Sequence, residues 1–185
     1  MSTSTTSQTI VFVSYSWSSP EHQAFVIELA TKLRGDGVDV RLDKWHLREG
    51  QDKFAFMESM VVNPDVTRVL VICDKTYAEK ANARTGGVGA ETQIISPEIY
   101  AKATREKFIP IICERDAEGN ECVPIFLKAR IYIDLGPNAS FADEYEKLLR
   151  NIYEAPIHIV PEIGEKPTFL TIGKLSHIAA SHKLD

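Results

Sequence analysis

Three short polar segments of this chain hold the residues with chemistry to offer. Tyr15, Ser16 and Trp17 follow an apolar run. Asp43, Lys44, Trp45 and Arg48 lie within DKWHLREGQD at 43–52. A stretch bearing Gly86, Gly87 and Gly89 leads to Glu91. Aromatic rings beside hydroxyls and carboxylates suit a nucleobase or sugar ligand, since a ring face stacks on a base and an acid accepts from a ribose hydroxyl. The common reaction motifs are missing. No GxxxxGKS/T phosphate loop occurs, the three glycines do not spell GxGxxG, and no GxSxG elbow is found. His22, His46, His158, His177 and His182 lack HExxH spacing and read as surface histidines. Cys73, Cys113 and Cys122 form no CxxC pair, which points away from a zinc site or a redox dithiol. Cys73 and Cys113 end apolar runs and read as reduced core thiols. No metal or cofactor is expected from this inventory.

The elements that must position these residues follow from periodicity. Residues 9–14, TIVFVS, are β-branched and aromatic and predict a strand buried on both faces. Ser19 followed by Pro20 is an N-cap with proline at the first helical position. Phe25, Leu29, Ala30 and Leu33 then recur at helical spacing, so a helix is expected over 20–34, closed by Gly35 and Gly37. Residues 38–42 predict a second strand. The 43–52 stretch reads as a loop, and Phe54, Met57 and Val61 restore helical spacing up to Asn63-Pro64.

Residues 68–73 predict a third strand, followed by a long irregular connection over 74–90 in which Tyr77 caps the strand's rim. A helix is expected over 91–102, broken at Pro97 with Ser96 as a fresh cap. Strands at 107–113 and 131–135, a turn at 116–120 and a helix at 140–153 complete the pattern. Strands alternating with helices predict an α/β fold: a parallel sheet between two helical layers, because parallel strands need crossovers. Ligands of such sheets sit beyond the carboxyl ends of the strands, so the three polar segments should meet on one rim.

The 185 residues correspond to about one domain at roughly 150 residues each. The domain is expected over 9–155, preceded by a disordered 1–8. It is followed at 156–185 by an arm or linker bearing Pro156, Pro161, Gly164 and Pro167. Hydrophobic residues at 44% and charged residues at 25% fit a globular chain. A net charge of -5 argues against a broad nucleic-acid footprint, which needs clustered cations. The sequence holds no apolar run of about 18 residues and no charged-then-apolar leader, so neither a membrane partner nor secretion is expected, and the expected location is cytoplasmic.

FVSYSW at 12–17, VDVRLDKWHLREGQD at 38–52 and RVLVICDKTYAEKANARTGGVGAE at 68–91, taken in order and spacing, resemble a SEFIR domain, a relative of the Toll/interleukin receptor (TIR) domains. The likeness extends over residues 9–154. It implies a flavodoxin-like three-layer sandwich with a five-stranded parallel sheet, and one of two jobs. Bacterial relatives consume NAD in immune, antiphage defence, cleaving the nicotinamide–ribose bond once they self-associate. Animal relatives are non-enzymatic adaptors that self-associate in signal transduction.

In the first case NAD is substrate and no cofactor is needed. The nicotinamide is cationic in NAD and departs neutral, so the two-carboxylate arrangement of ordinary glycosidases is not required. One acid suffices to bond the ribose and stabilise the developing positive charge. The resemblance places that acid at Glu91, with Glu98 its rival, and substrate contacts at Tyr15, Ser16, Trp17, Asp43 and Trp45. Lys44, Trp45 and Arg48 fall on the loop that mediates homotypic contacts. One departure stands out: Gly87 occupies the position four before Glu91, where TIR enzymes commonly carry tryptophan.

Overall fold

The computed structural model describes residues 8–83 and 94–170. Two units separate along the chain, Met1–Ala155 and Pro156–Asp185. The first contains, in order, β1 (Ile10–Ser14), α1 (Pro20–Gly35), β2 (Asp39–Arg41), α2 (Asp43–His46), α3 (Lys53–Val62), β3 (Val66–Cys73), α4 (Lys75–Ala83), α5 (Pro97–Ala101), β4 (Phe108–Ile112), β5 (Ile133–Asp134) and α6 (Phe141–Ile152). The sheet order is β2-β1-β3-β4-β5 and every pairing is parallel. The chain therefore builds outward from β1 in one direction and then in the other, which leaves a topological switch point between β1 and β3.

Alternation along the strands divides the core into two. Val11, Val13, Leu70 and Ile72 face α1 and α6, where Leu29, Leu33, Tyr145 and Leu148 meet them. Phe12, Val69, Val71 and Cys73 face the other way, onto Met57 and Val61 of α3, Tyr77 of α4 and Ile99 of α5. Burial on both faces is why these strands are unbroken apolar runs. Each such side chain contributes about 1.5–3 kcal/mol. Helices on both faces of a five-stranded parallel sheet are the expected flavodoxin-like three-layer sandwich.

Local signals acted as expected at several ends. The Ser19 side chain accepts from the His22 backbone N–H with Pro20 in the first turn of α1. Ser96 caps α5 through the Ile99 N–H, and Pro97 opens that helix. The 116–120 turn is closed by Asp116, with Gly119 at φ +87°, a left-handed value that a side chain would strain.

Three expectations need correction. The 43–52 segment is not all loop. Its first four residues form α2, held by the Trp45 and His46 N–H groups on the Leu42 carbonyl. One turn is too short to show a period. Asp52 then caps α3 by accepting from the Phe54 and Ala55 N–H groups. The 74–90 connection is helical over Lys75–Ala83, where only Tyr77 and Ala81 are buried, one turn apart, so the amphipathic stripe is two residues wide. Finally, Ile94, Ile95 and Ser96 are not helical; both isoleucines are fully covered in the second core, and the helix begins at Pro97. The 1–7 and 84–93 segments, with Glu91 in the latter, and residues 171–185 lie outside the described residues. In the second unit, described over 156–170, Ile159, Val160 and Ile163 expose most of their side-chain surface.

Candidate functional site

The carboxyl ends of β1 and β3 are tied together by one buried acid. Asp74 is the first residue after β3 and only 4% exposed. Its carboxylate accepts from Ser16 Oγ at 2.7–2.8 Å, from Ser18 Oγ at 2.6 Å and from the Tyr77 N–H at 2.7 Å. The last of these caps α4, so the same side chain starts a helix and anchors the loop after β1. A second buried bond runs from Tyr15 Oη to Asp43 Oδ1 at 2.9 Å, fixing the residue after β1 to the first residue of α2. Burial, reinforced by the neighbouring Asp43 charge, drives the Tyr15 phenol well above its ordinary range, so it stays a donor. A third link passes from Ser14 Oγ to Tyr77 Oη (2.8 Å), which accepts from the Ile95 N–H (3.0 Å) and so brings the approach to α5 to the same edge. Tyr77 does cap the strand's rim, from the inside.

These links bring the first two polar segments and the start of the third onto one edge. They also show how each candidate residue is spent. Tyr15, Ser16 and Asp43 are buried; the Tyr15 hydroxyl is bonded to Asp43 Oδ1 and the Ser16 hydroxyl to Asp74, so neither hydroxyl nor the Tyr15 ring is presented at the surface. Trp17 is half-buried against the α1-side core. Its ring carries Lys44 Nζ at 4.4 Å and Lys53 Nζ at 3.9 Å from the centroid. Two ammonium groups on one indole form a local positive feature on a chain of net negative charge. Trp45 in α2 is 40% exposed and Phe54 at the start of α3 41%, and Lys44 of α2 and Arg48 of the following loop are open to solvent. Glu98 is described, exposed in the first turn of α5.

Sequence reasoning passed over Asp74, His22 and Lys53. Asp74 was legible as the acid ending a strand, but its Ser16 and Ser18 partners are identified only once β1 and β3 are known to be neighbours. His22 is not a surface histidine. Its side chain is 11% exposed, and Nε2 lies 3.7 Å from Asp74 Oδ2. Burial depresses its pKa, with Asp74 and then Glu114 opposing that shift. The cysteines are free, and burial pushes the Cys113 thiol up to about 12. Among the described residues no cluster of three or more His, Cys, Asp or Glu is arranged to hold a metal ion, and no helix is long and apolar enough to cross a membrane.

Comparison with known proteins agrees with this architecture. The family model described as TIR domain matches residues 11–149. A solved prokaryotic SEFIR domain is 44% identical, with a TM-score of 0.72, covering 85% of this chain and 100% of its own. The TIR domain of a Toll-related receptor from Hydra magnipapillata is 19% identical with a TM-score of 0.55, covering 77% of this chain and 97% of its own; at that identity it shows the shared fold alone. No curated protein matches. With a parallel five-stranded sheet in the order found, and a SEFIR relative at this identity over its whole length, the chain belongs to the TIR domain family.

Proposed function

We propose that this chain cleaves the nicotinamide–ribose bond of NAD when it self-associates, in the role of a defence effector. The observation that carries this reading is the Trp17 rim. An indole and two ammonium groups stand beyond the carboxyl ends of β1 and β2, on the edge where open α/β sheets take ligands. Lys44 and Lys53 match the charge of a pyrophosphate, and Trp17 supplies an aromatic surface beside it. The acid that shelters the oxocarbenium-like charge comes from the segment entering α5, where Glu91 and Glu98 stand. Glu91 is the first choice and Glu98, exposed in the first turn of α5, its rival. Tyr15, Ser16 and Asp43 act in this reading as the frame that holds Trp17, not as direct contacts. Lys44, Trp45 and Arg48 make the homotypic contact. A site completed by a neighbouring copy gives activity that rises more steeply than linearly with protein concentration.

A second reading, a homotypic adaptor without chemistry, is favoured by one observation: α2 and the start of α3 expose Trp45 and Phe54 while the Tyr15 and Ser16 hydroxyls beneath are already bonded. Chromatography of NAD incubated with clustered protein separates the two. Nicotinamide release that disappears in Glu98→Ala or Glu91→Ala supports the hydrolase and identifies its acid. Self-association with no release favours the adaptor, and turnover retained in both variants refutes the placing of the acid.

A further inference from the structure

Beside β4 and β5, away from the β1–β2 end of the sheet where Trp17 stands, a cavity of about 460 Å³ opens on the α5 side. Its floor is Pro110 of β4 with Val123 and Leu127 of the second core. Around it stand two cations, Lys128 and Arg130, and two acids, Asp116 and Glu121.

The four charged side chains differ in what they have left to offer. Arg130 is held by its Nε, which donates to Tyr100 Oη at 2.8 Å. Tyr100 is itself fixed by two rings, Phe108 and Phe126, with centroids 4.7 and 4.9 Å from its own. The two terminal nitrogens of Arg130 donate to no described residue, so a half-buried guanidinium is anchored at one edge with its fork unspent. Lys128 is exposed and makes no ion pair with a described residue. Asp116 is fully used within its own turn, where its oxygens accept from the Glu118 and Asn120 N–H groups and from the Asn120 amide. Glu121 commits only Oε1, which accepts from the Tyr132 hydroxyl at 2.8 Å and from Arg115 Nη1 at 2.9 Å; its Oε2 accepts from no described group. The Tyr132 bond, with help from its own backbone N–H and Arg115, holds the Glu121 carboxyl down at about 2, so it stays ionised. What remains is a guanidinium fork and an ammonium for an anion, one carboxylate oxygen for a cation, and an apolar floor.

We propose that this cavity binds a free amino acid with an apolar side chain, as the zwitterion. Its carboxylate pairs with the Arg130 fork and Lys128, its ammonium with Glu121 Oε2, and its side chain lies on Pro110, Val123 and Leu127. A phosphate or dicarboxylate would meet the Asp116 and Glu121 charges, and a simple amine those of Lys128 and Arg130. A neutral apolar ligand would leave the fork unmatched. The site does not depend on NAD cleavage.

Leucine is the probe, titrated calorimetrically into the full chain. Saturable one-to-one binding is expected. Leucinamide lacks the carboxylate and N-acetyl-leucine lacks the ammonium, and each should bind at least tenfold more weakly. Arg130→Gln should weaken leucine binding at least tenfold, and Lys128→Gln, at an exposed position, severalfold. Glu121→Gln keeps an oxygen for Arg115 and Tyr132 and loses only the charge. It should weaken leucine at least tenfold while N-acetyl-leucine binds no more weakly than to wild type, a crossed preference that a loosened fold would not produce. Unchanged thermal melting of Lys128→Gln and Glu121→Gln keeps the test sound even if Arg130→Gln does not fold. Failure of leucine to bind would overturn the proposal. So would equal affinity for leucinamide or N-acetyl-leucine, or unchanged leucine affinity in Lys128→Gln and Glu121→Gln.

Discussion

Replacing Asp74 by alanine tests whether one carboxylate ties the two central strands at their functional edge. The substitution strands two buried donors, the Ser16 hydroxyl and the Tyr77 N–H, and one half-buried donor, the Ser18 hydroxyl. Loss of the α4 cap is worth about 1 kcal/mol. A hydrogen bond to a charged acceptor contributes about 1.5–3 kcal/mol, which applies in full to Ser16 but little to Ser18, whose hydroxyl can turn to water. Against this, removing a buried anion relieves its desolvation. The expected net loss is about 3 kcal/mol, or a melting temperature lower by roughly 6–12 °C for a domain of this size. Asp74→Asn keeps one acceptor for the Tyr77 N–H but turns an amide toward the serines, so about half the loss is expected. Urea unfolding of the three proteins measures these values, and hydrogen exchange locates them, with the Tyr77 amide losing protection first. An alanine variant within about 1 kcal/mol of wild type, or an asparagine variant as unstable as alanine, would refute the reasoning.

Two further outcomes follow from the buried titratable groups. His22 has a folded pKa below its unfolded value of 6.5, so the unfolded chain takes the proton first. The stability it contributes is complete above about pH 6.5 and is lost as pH falls from there through the lower folded value; His22→Gln should flatten that part of a urea-derived stability–pH curve, and an unchanged slope would count against it. Cys113, with its thiol pushed up to about 12, and Cys73, also raised by burial, should alkylate with iodoacetamide at pH 8 far more slowly in the native protein than in urea, and comparable rates in both would contradict the assigned burial.

Ser19-Pro20, Ser96-Pro97 and the apolar run at β1 could be read without any fold, because caps, proline and strand-like runs act over a few residues. The parallel sheet followed from the alternation of strands and helices, since it needs only the crossovers. Helices α2 and α4 escaped notice for a physical reason: one is a single turn, and the other buries only Tyr77 and Ala81, so neither writes a period into the sequence. At the site, the residues at 15–17 and 43 stand out in the sequence by type, yet their condition was not foreseen. Whether a tyrosine faces a ligand or bonds Asp43 under the surface depends on which strand lies beside which. That adjacency also turned His22 inward and made Asp74 the common acceptor of two serines 56 and 58 residues away. The sequence by itself determined the elements and their alternation, through interactions between near neighbours along the chain. Only the tertiary structure decided which polar groups satisfy one another and which remain to meet a ligand, because that depends on contacts between residues far apart in the chain.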